Sequence, residues 1–176
     1  PLNPLQILWV NFFADSFPAI AYAFEKETTV FNRKPRGKSE NLFDSEMKFL
    51  ILIVGLSSSV LLFGLYALLL NLGFDEQVVR TFIFASFGSY SLFVALSVRS
   101  LDKSIFSYPF FSNAYLLYGI AIGLLLMVVA VYVPFLQKLF DTVPLSLPWV
   151  LGVVGVGIAN MSVIEFGKWM FRRRVQ

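Results

Sequence analysis

The sequence predicts an all-α integral membrane protein, a bundle of five transmembrane helices with its N-terminus outside and its C-terminus in the cytoplasm. Three observations carry that prediction. The residues AVILMFWYC make up 57% of the 176 residues and charged residues only 14%, against roughly 25% charged in a soluble domain. Apolar stretches recur at about 5–24, 47–70, 79–98, 114–133 and 149–166, each near the roughly 20 residues that a helix needs to cross a bilayer. The Lys and Arg residues are unevenly divided between the connections, and cytoplasmic connections carry the excess of such cations.

The first span, 5–24, is the polar one: it holds Gln6, Asn11, Asp15 and Ser16, with Trp9 towards its start and Pro18 in mid-span. The connection 25–46 then carries Lys26, Arg33, Lys34, Arg36 and Lys38, with Lys48 on its flank. The second span, 47–70, contains Gly55 and Ser59 four apart, and a short connection, 71–78, leads into the third, 79–98. Arg99 and Lys103 lie in the connection 99–113. The fourth span, 114–133, has Gly119 and Gly123 four apart and Tyr132 at its end. After the connection 134–148, the fifth span, 149–166, opens on Trp149, contains Gly155 and Ala159, and runs into Lys168, Trp169, Arg172, Arg173 and Arg174. Small residues four apart let helix backbones approach closely in lipid, and aromatic rings at span ends suit the headgroup layer.

Arg80 and Lys138 fall on one side of the spans and every other Lys and Arg on the other. The connections 25–46 and 99–113 and the C-terminal tail are therefore expected in the cytoplasm, which puts Pro1 outside. Pro1, Leu2, Asn3 and Pro4 lead almost at once into the first span, without initiator Met, charged leader or cleavage site. That opening is neither a signal peptide nor an ordinary start, and it reads as a piece of a larger polypeptide. Five crossings use up the chain and leave no room for a nucleotide-driven catalytic domain. With neither cysteine nor histidine, thiol catalysis, disulfides and the commonest zinc and copper ligands are excluded. The net charge of +3 is small; the lipid bilayer is the expected partner, and nucleic acid is not.

Asp15 is the one acidic residue deep in an apolar span. A carboxylate there is costly unless a cation, a proton, water or a polar neighbour accompanies it. Asn11 and Asp15 are four apart, so a helix puts them on one face. Pro18 cannot donate to the carbonyl of Ala14, which loosens the turn that carries both side chains. An amide oxygen, a carboxylate and a freed main-chain carbonyl, that of Ala14 first, make a set of hard donors suited to Ca2+, Na+ or Mg2+. The alternative is a protonated Asp15 bonded to a neighbouring helix, with Pro18 as a plain kink. Glu165 lies near the cytoplasmic end, one turn from Lys168, and reads as an interfacial pair.

The run from Pro4 to Glu25, PLQILWVNFFADSFPAIAYAFE, resembles the sixth transmembrane helix of P-type cation-transporting ATPases of the calcium-pump and sodium-pump branch. There the pattern is Leu-Trp, a polar residue, two apolar residues, Thr-Asp-Gly, an apolar residue and Pro-Ala. Further motifs follow in order: Arg33 to Arg36 is similar to the basic loop after that helix. Arg99 to Phe106 and Phe111 to Asn113 are similar to the loop before the ninth helix. Tyr132 to Gln137 and Val143 to Ser146 are similar to the last external loop.

The resemblance covers nearly the whole chain and implies that the five spans are helices six to ten of a pump in the cell membrane. Its partners would be five further helices and cytoplasmic domains that bind ATP and Mg2+ and carry a phosphorylated aspartate; this chain alone lacks them. Asn11 and Asp15 fall on the family's cation-ligand positions, and Asn at the first resembles calcium pumps, so the implied cargo is Ca2+, with Na+, H+ or Mg2+ as alternatives. Ala14 stands where Thr is usual, and Ser91 where an eighth-helix Glu completes a second site. These lost ligand positions imply one ion per cycle. The loop 25–46 resembles one that touches the phosphorylation domain, although its basic composition equally suits positive-inside topology. Two other functions compete: a stand-alone, pump-derived scaffold or regulatory subunit, and a secondary carrier using Asp15, against which the missing inverted repeat argues.

Overall fold

The computed structural model describes residues 2–24, 45–99, 105 and 112–175. The connections 25–46 and 99–113 lie for the most part outside the described residues, and so do the basic run at 33–36 and the proposed docking loop around it.

All the described regular structure is helical. Helix α1 (Pro4–Trp9) starts at a capping box, in which Asn3 accepts from the Gln6 amide and the Gln6 side chain accepts from the Asn3 amide. A π-helical segment (Val10–Asp15) and α2 (Ser16–Tyr22) continue it, and the backbone stays in the right-handed helical region through both junctions. Helix α3 (Ser45–Asn71) ends at Gly73, whose φ of 82° is open to glycine without strain. Asp75 caps α4 (Glu76–Ser97) through the Val78 amide, and Asn113 caps α5 (Ala114–Tyr132) through the Leu116 amide. Short helix α6 (Pro134–Phe140) has proline in its first turn and ends on Asp141 in the left-handed region. Helix α7 (Leu147–Val175) carries on past the apolar stretch into the basic tail.

Among the described residues, four helical stretches are long and apolar enough to cross a membrane: Val54–Asn71, Glu76–Ser97, Ala114–Tyr132 and Leu147–Met170. The sequence predicts five. The difference lies in 5–24, which is divided into three pieces because its main-chain bonds change from a four-residue to a five-residue span between Val10 and Asp15.

Helix α4 is the centre of the bundle. Buried positions make up 61% of its apolar window against 11% for that of α3, and it packs on α3, α5, α7 and the π segment. Phe84 and Leu92 face one cluster, with Val10, Ala14, Leu116, Ile120 and Phe140; Phe82 and Ile83 face another, with Leu62, Val131, Val153 and Val156. The outer faces of α3, α5 and α7 expose Leu52, Phe63, Leu125, Leu151 and Ile158, as expected where hydrocarbon replaces water as solvent.

Close approach occurs at some of the small-residue pairs only. A Cβ at Gly123 would stand 2.6 Å from Leu92 Cδ2, and one at Gly119 would stand 3.2 Å from the Phe17 carbonyl. Gly55 and Gly155 have nothing within 4 Å, and Ser59 and Ala159 are exposed. On α7 the tight positions are Gly157 against Phe93 and Gly152 against Phe82.

Candidate cation site

The first segment has two unlike sides. Gln6, Val10, Ala14, Pro18 and Ala21 are buried, whereas Leu8, Asn11, Phe12, Asp15, Ala19 and Ile20 are exposed. Steps of four residues drift around a regular helix of 3.6 residues per turn. A stretch bonded at five-residue intervals turns less per residue, so Val10 and Ala14 stay in line with Gln6 and Pro18 and keep against α4 and α5. Pro18 lies in the first turn of α2, which continues the preceding helix, and its missing N–H leaves a carbonyl of the turn before it without a helical donor. The departure from α geometry thus falls at Val10–Asp15, just before the proline.

Four side-chain bonds to three main-chain carbonyls hold the buried side along its length. Gln6, fully buried, donates from Nε2 to the Phe140 carbonyl at 2.9 Å, and Asn3 Nδ2 donates to the same oxygen at 2.9 Å. The Tyr22 hydroxyl donates to the Ala95 carbonyl of α4. Asn113 Nδ2, itself buried, donates to the Ala21 carbonyl at 3.2 Å. The Trp9 ring packs on Phe13 and Phe140 with centroids 4.3 and 4.9 Å away.

Asn11 and Asp15 are thereby set on the open side, a turn apart, with Ala14 on the packed side. Ser91 is half-buried on α4, and its hydroxyl donates back to the Phe87 carbonyl at 3.1 Å, the usual resolution for a serine within a helix. Two oxygen-bearing side chains fall short of the six to eight oxygens that Ca2+ takes. Among the described residues no group of three or more His, Cys, Asp or Glu side chains is gathered to hold a metal. A cation beside Asp15 would need its remaining ligands from main-chain carbonyls, water or an element lying over this face.

Other polar groups are buried away from that face, and the long-range partners among them carry no local sequence signal. Ser58 and Asn160 join α3 to α7 at 2.7 Å. Lys168 is fully buried, with Nζ 2.8 Å from the Ser97 carbonyl and 2.6 Å from Glu165 Oε1, so the expected interfacial pair is drawn into the packing between α4 and α7. Asp141 belongs to an exposed edge, where it meets Gln77 Nε2 at 2.8 Å and Arg80 at 3.4 Å.

Comparison with known proteins shows the family. Residues 1–170 match the family described as "Cation transporting ATPase, C-terminus". The chain is 32% identical to Calcium-transporting ATPase 1 of Yarrowia lipolytica over 181 residues, covering 99% of the chain and 19% of that protein. It is 35% identical to Calcium-transporting ATPase type 2C member 2 of Mus musculus, covering 96% and 18%, and 28% identical to Calcium-transporting ATPase 1 of Saccharomyces cerevisiae, covering 99% and 18%. The chain thus spans under a fifth of the length of these curated relatives. A family match over residues 1–170, with relatives 32–35% identical over nearly the whole chain, means that this protein belongs to the family of cation-transporting ATPase C-terminal domains.

Proposed function

We propose that this chain is the C-terminal part of the transmembrane transport domain of an ATP-driven P-type pump, and that it exports Ca2+ past Asn11 and Asp15. The first segment and the four long helices make five crossings, helices six to ten of the pump, with Pro1 outside and the tail in the cytoplasm. One observation carries the reading: the two oxygen-bearing side chains lie together on the uncovered side of a widened helical turn. Such widened turns are frequent at functional sites. The names of the relatives add weight, since those cited above are calcium-transporting ATPases.

In this reading the face bearing Asn11 and Asp15 is covered by other helices of the pump, which supply the missing oxygens. ATP and Mg2+ are handled by cytoplasmic domains outside this chain. Phosphorylation there shifts the covering helices and changes the ligand cage from an inward-open, tight form to an outward-open, weak one. With Ala14 and Ser91 in place of further oxygen donors, the site takes one ion per cycle.

The test is phosphoenzyme formation by the complete protein with Ca2+, Na+, Mg2+ or protons as the only cation offered. Ca2+ is expected to support it, and Asp15→Asn to abolish the cation dependence. Cation dependence that survives in Asp15→Asn rejects the site. Ser91→Glu together with Ala14→Thr is expected to raise the number of Ca2+ ions bound per pump. Ser91→Glu alone keeps that measurement clear of the buried Ala14 position. Unchanged stoichiometry in both removes the assignment of Ser91.

A further inference from the structure

A cavity of about 280 Å3 lies where α4, α5 and α7 part from one another. Ala85 and Ser89 on α4, Leu124 and Met127 on α5, and Val150 and Val153 on α7 line it. Val128, Tyr132 and Val154 line it too and are exposed on the outside of the bundle, so it opens sideways between α5 and α7. Its walls take nothing from the first segment.

Water does not suit this space. A buried water needs two to four polar partners, and among the lining side chains only Ser89 and Tyr132 carry a hydroxyl. That of Tyr132 is already given to the Leu145 carbonyl at 2.7 Å. Leaving so large a void empty would forfeit packing in proportion to its volume. The opening lies between two stretches apolar and long enough to cross a membrane, with Leu125 and Leu151 exposed on the helices beside it. The cavity is therefore continuous with the lipid-facing surface, and its occupant comes from the bilayer. A cavity of ~150 Å3 takes benzene, so this one has room for about ten carbons. That fits a stretch of one acyl chain and is too little for a fused-ring lipid.

Ser89 gives the site its selectivity. Thr81, Ser91 and Ser162 each turn their hydroxyl back to the carbonyl four residues earlier, the usual resolution within a helix. Ser89, 6% exposed, makes no such bond and has no other hydrogen-bond partner among the described residues. A saturated chain would leave that hydroxyl unmet, whereas the π electrons of a double bond accept a weak hydrogen bond. Its depth is suitable. Gly88 abuts Met127 and Leu92 abuts Gly123, so Ser89 lies about six residues, or about 9 Å, below Tyr132 along α5. A tyrosine at a span end marks the headgroup layer, which puts Ser89 level with the middle of an acyl chain. We infer that this cavity is a lipid site, filled by one acyl chain with a mid-chain double bond from a phospholipid whose headgroup lies level with Tyr132. The inference stands apart from the assignment of Asp15.

The experiment places the complete protein in vesicles of diphytanoyl phosphatidylcholine with a trace of phosphatidylcholine bearing a diazirine in the middle of one chain. Crosslinked residues are mapped by mass spectrometry, and dioleoyl or distearoyl phosphatidylcholine is added as competitor. Crosslinks are expected on Met127 and Leu124 inside the cavity. Dioleoyl lipid should displace them at a mole fraction about two- to fivefold lower than distearoyl lipid, the scale of one weak hydrogen bond. Ser89→Ala should keep the Met127 crosslink and lose that preference. Val128→Trp, at an exposed lining position, should remove the crosslink by filling the opening, and Val154→Trp makes the same prediction if that variant does not fold. Leu125→Trp, exposed on α5 but outside the cavity, should leave it intact. Crosslinks confined to outer positions such as Leu125 and Leu151, or undiminished by tryptophan at the opening, overturn the inference in favour of general lipid contact. Equal displacement by the two competitors, or a preference that survives Ser89→Ala, overturns the selection of an unsaturated chain by Ser89.

Discussion

Lys168→Met is expected to destabilise the folded bundle by about 3 kcal/mol, the lower end of the range for breaking a buried ion pair. The Lys168 side chain is 0% exposed and its ammonium is shared between the Ser97 carbonyl at 2.8 Å and Glu165 Oε1 at 2.6 Å. Ser97 is the last residue of α4, where carbonyls have no partner within the helix and the helix dipole favours a cation. Methionine fills much of the same space and supplies neither donor. The Glu165 carboxylate would keep the Ile105 amide, which donates to Oε2 at 3.3 Å. Because Glu165 is 17% exposed, water takes up some of the lost interaction, and this places the effect low in the range. The companion variant Lys168→Met with Glu165→Leu removes the stranded charge as well, and should recover most of the loss. Unfolding of the complete protein by SDS in mixed micelles measures both. A single variant within about 0.5 kcal/mol of the parent, the size of an ordinary surface substitution, would refute the burial argument. So would a double variant as unstable as the single one.

Two smaller predictions concern packing and anchoring. Gly123→Val should cost about 1–3 kcal/mol by overpacking, since even its Cβ would meet Leu92 Cδ2 at 2.6 Å, whereas Gly155→Ala, with nothing within 4 Å, should be neutral or stabilising by up to about 1 kcal/mol; the same unfolding assay checks both. Gln6→Leu removes the 2.9 Å bond to Phe140 while Asn3 keeps its own to that carbonyl, so a loss of about 0.5–1.5 kcal/mol is expected, read as faster hydrogen exchange around Phe140 and Asp141.

The sequence made some levels of this structure legible and hid others for a common reason. Helix starts are set by Asn3, Asp75 and Asn113, whose side-chain oxygens each take an orphan amide ahead of an apolar run; hydropathy alone located the spans and put the start of the third at 79 rather than 76. Packing faces were not. In lipid every side of a helix is apolar, so the periodicity that marks a core in water disappears. Small residues four apart then mark a contact at Gly119 and Gly123 but open surface at Gly55 and Gly155. Glu165 and Lys168 were visible as an i,i+3 pair, yet the burial of Lys168 depends on a carbonyl 71 residues away. The bond between Ser58 and Asn160 spans 102 residues, and no local pattern announces it. At the candidate site, the spacing of Asn11 and Asp15 was readable, and so was a disturbance near Pro18. That the disturbance takes the form of a widened turn before the proline follows from packing, which holds Gln6, Val10, Ala14 and Pro18 in one line.

That packing also constrains what Asp15 can be for. Its neighbours on the open side, Leu8, Phe12 and Ile20, are each 63% exposed and would sit comfortably in hydrocarbon. A carboxylate would not, at a cost of about 2.5–3.5 kcal/mol on insertion scales. The segment has no simple way to turn it inward. Rotation would break the bonds from Asn3 and Gln6 to Phe140, from Tyr22 to Ala95 and from Asn113 to Ala21, and the buried Gln6 amide alone would cost about 1–3 kcal/mol if left unmet. Three anchors spread from one end of the segment to the other outweigh one carboxylate. The fold therefore holds Asp15 and Asn11 outward at the expense of local stability, and it gains from doing so only if a cation, or a further helix bearing polar groups, meets them there.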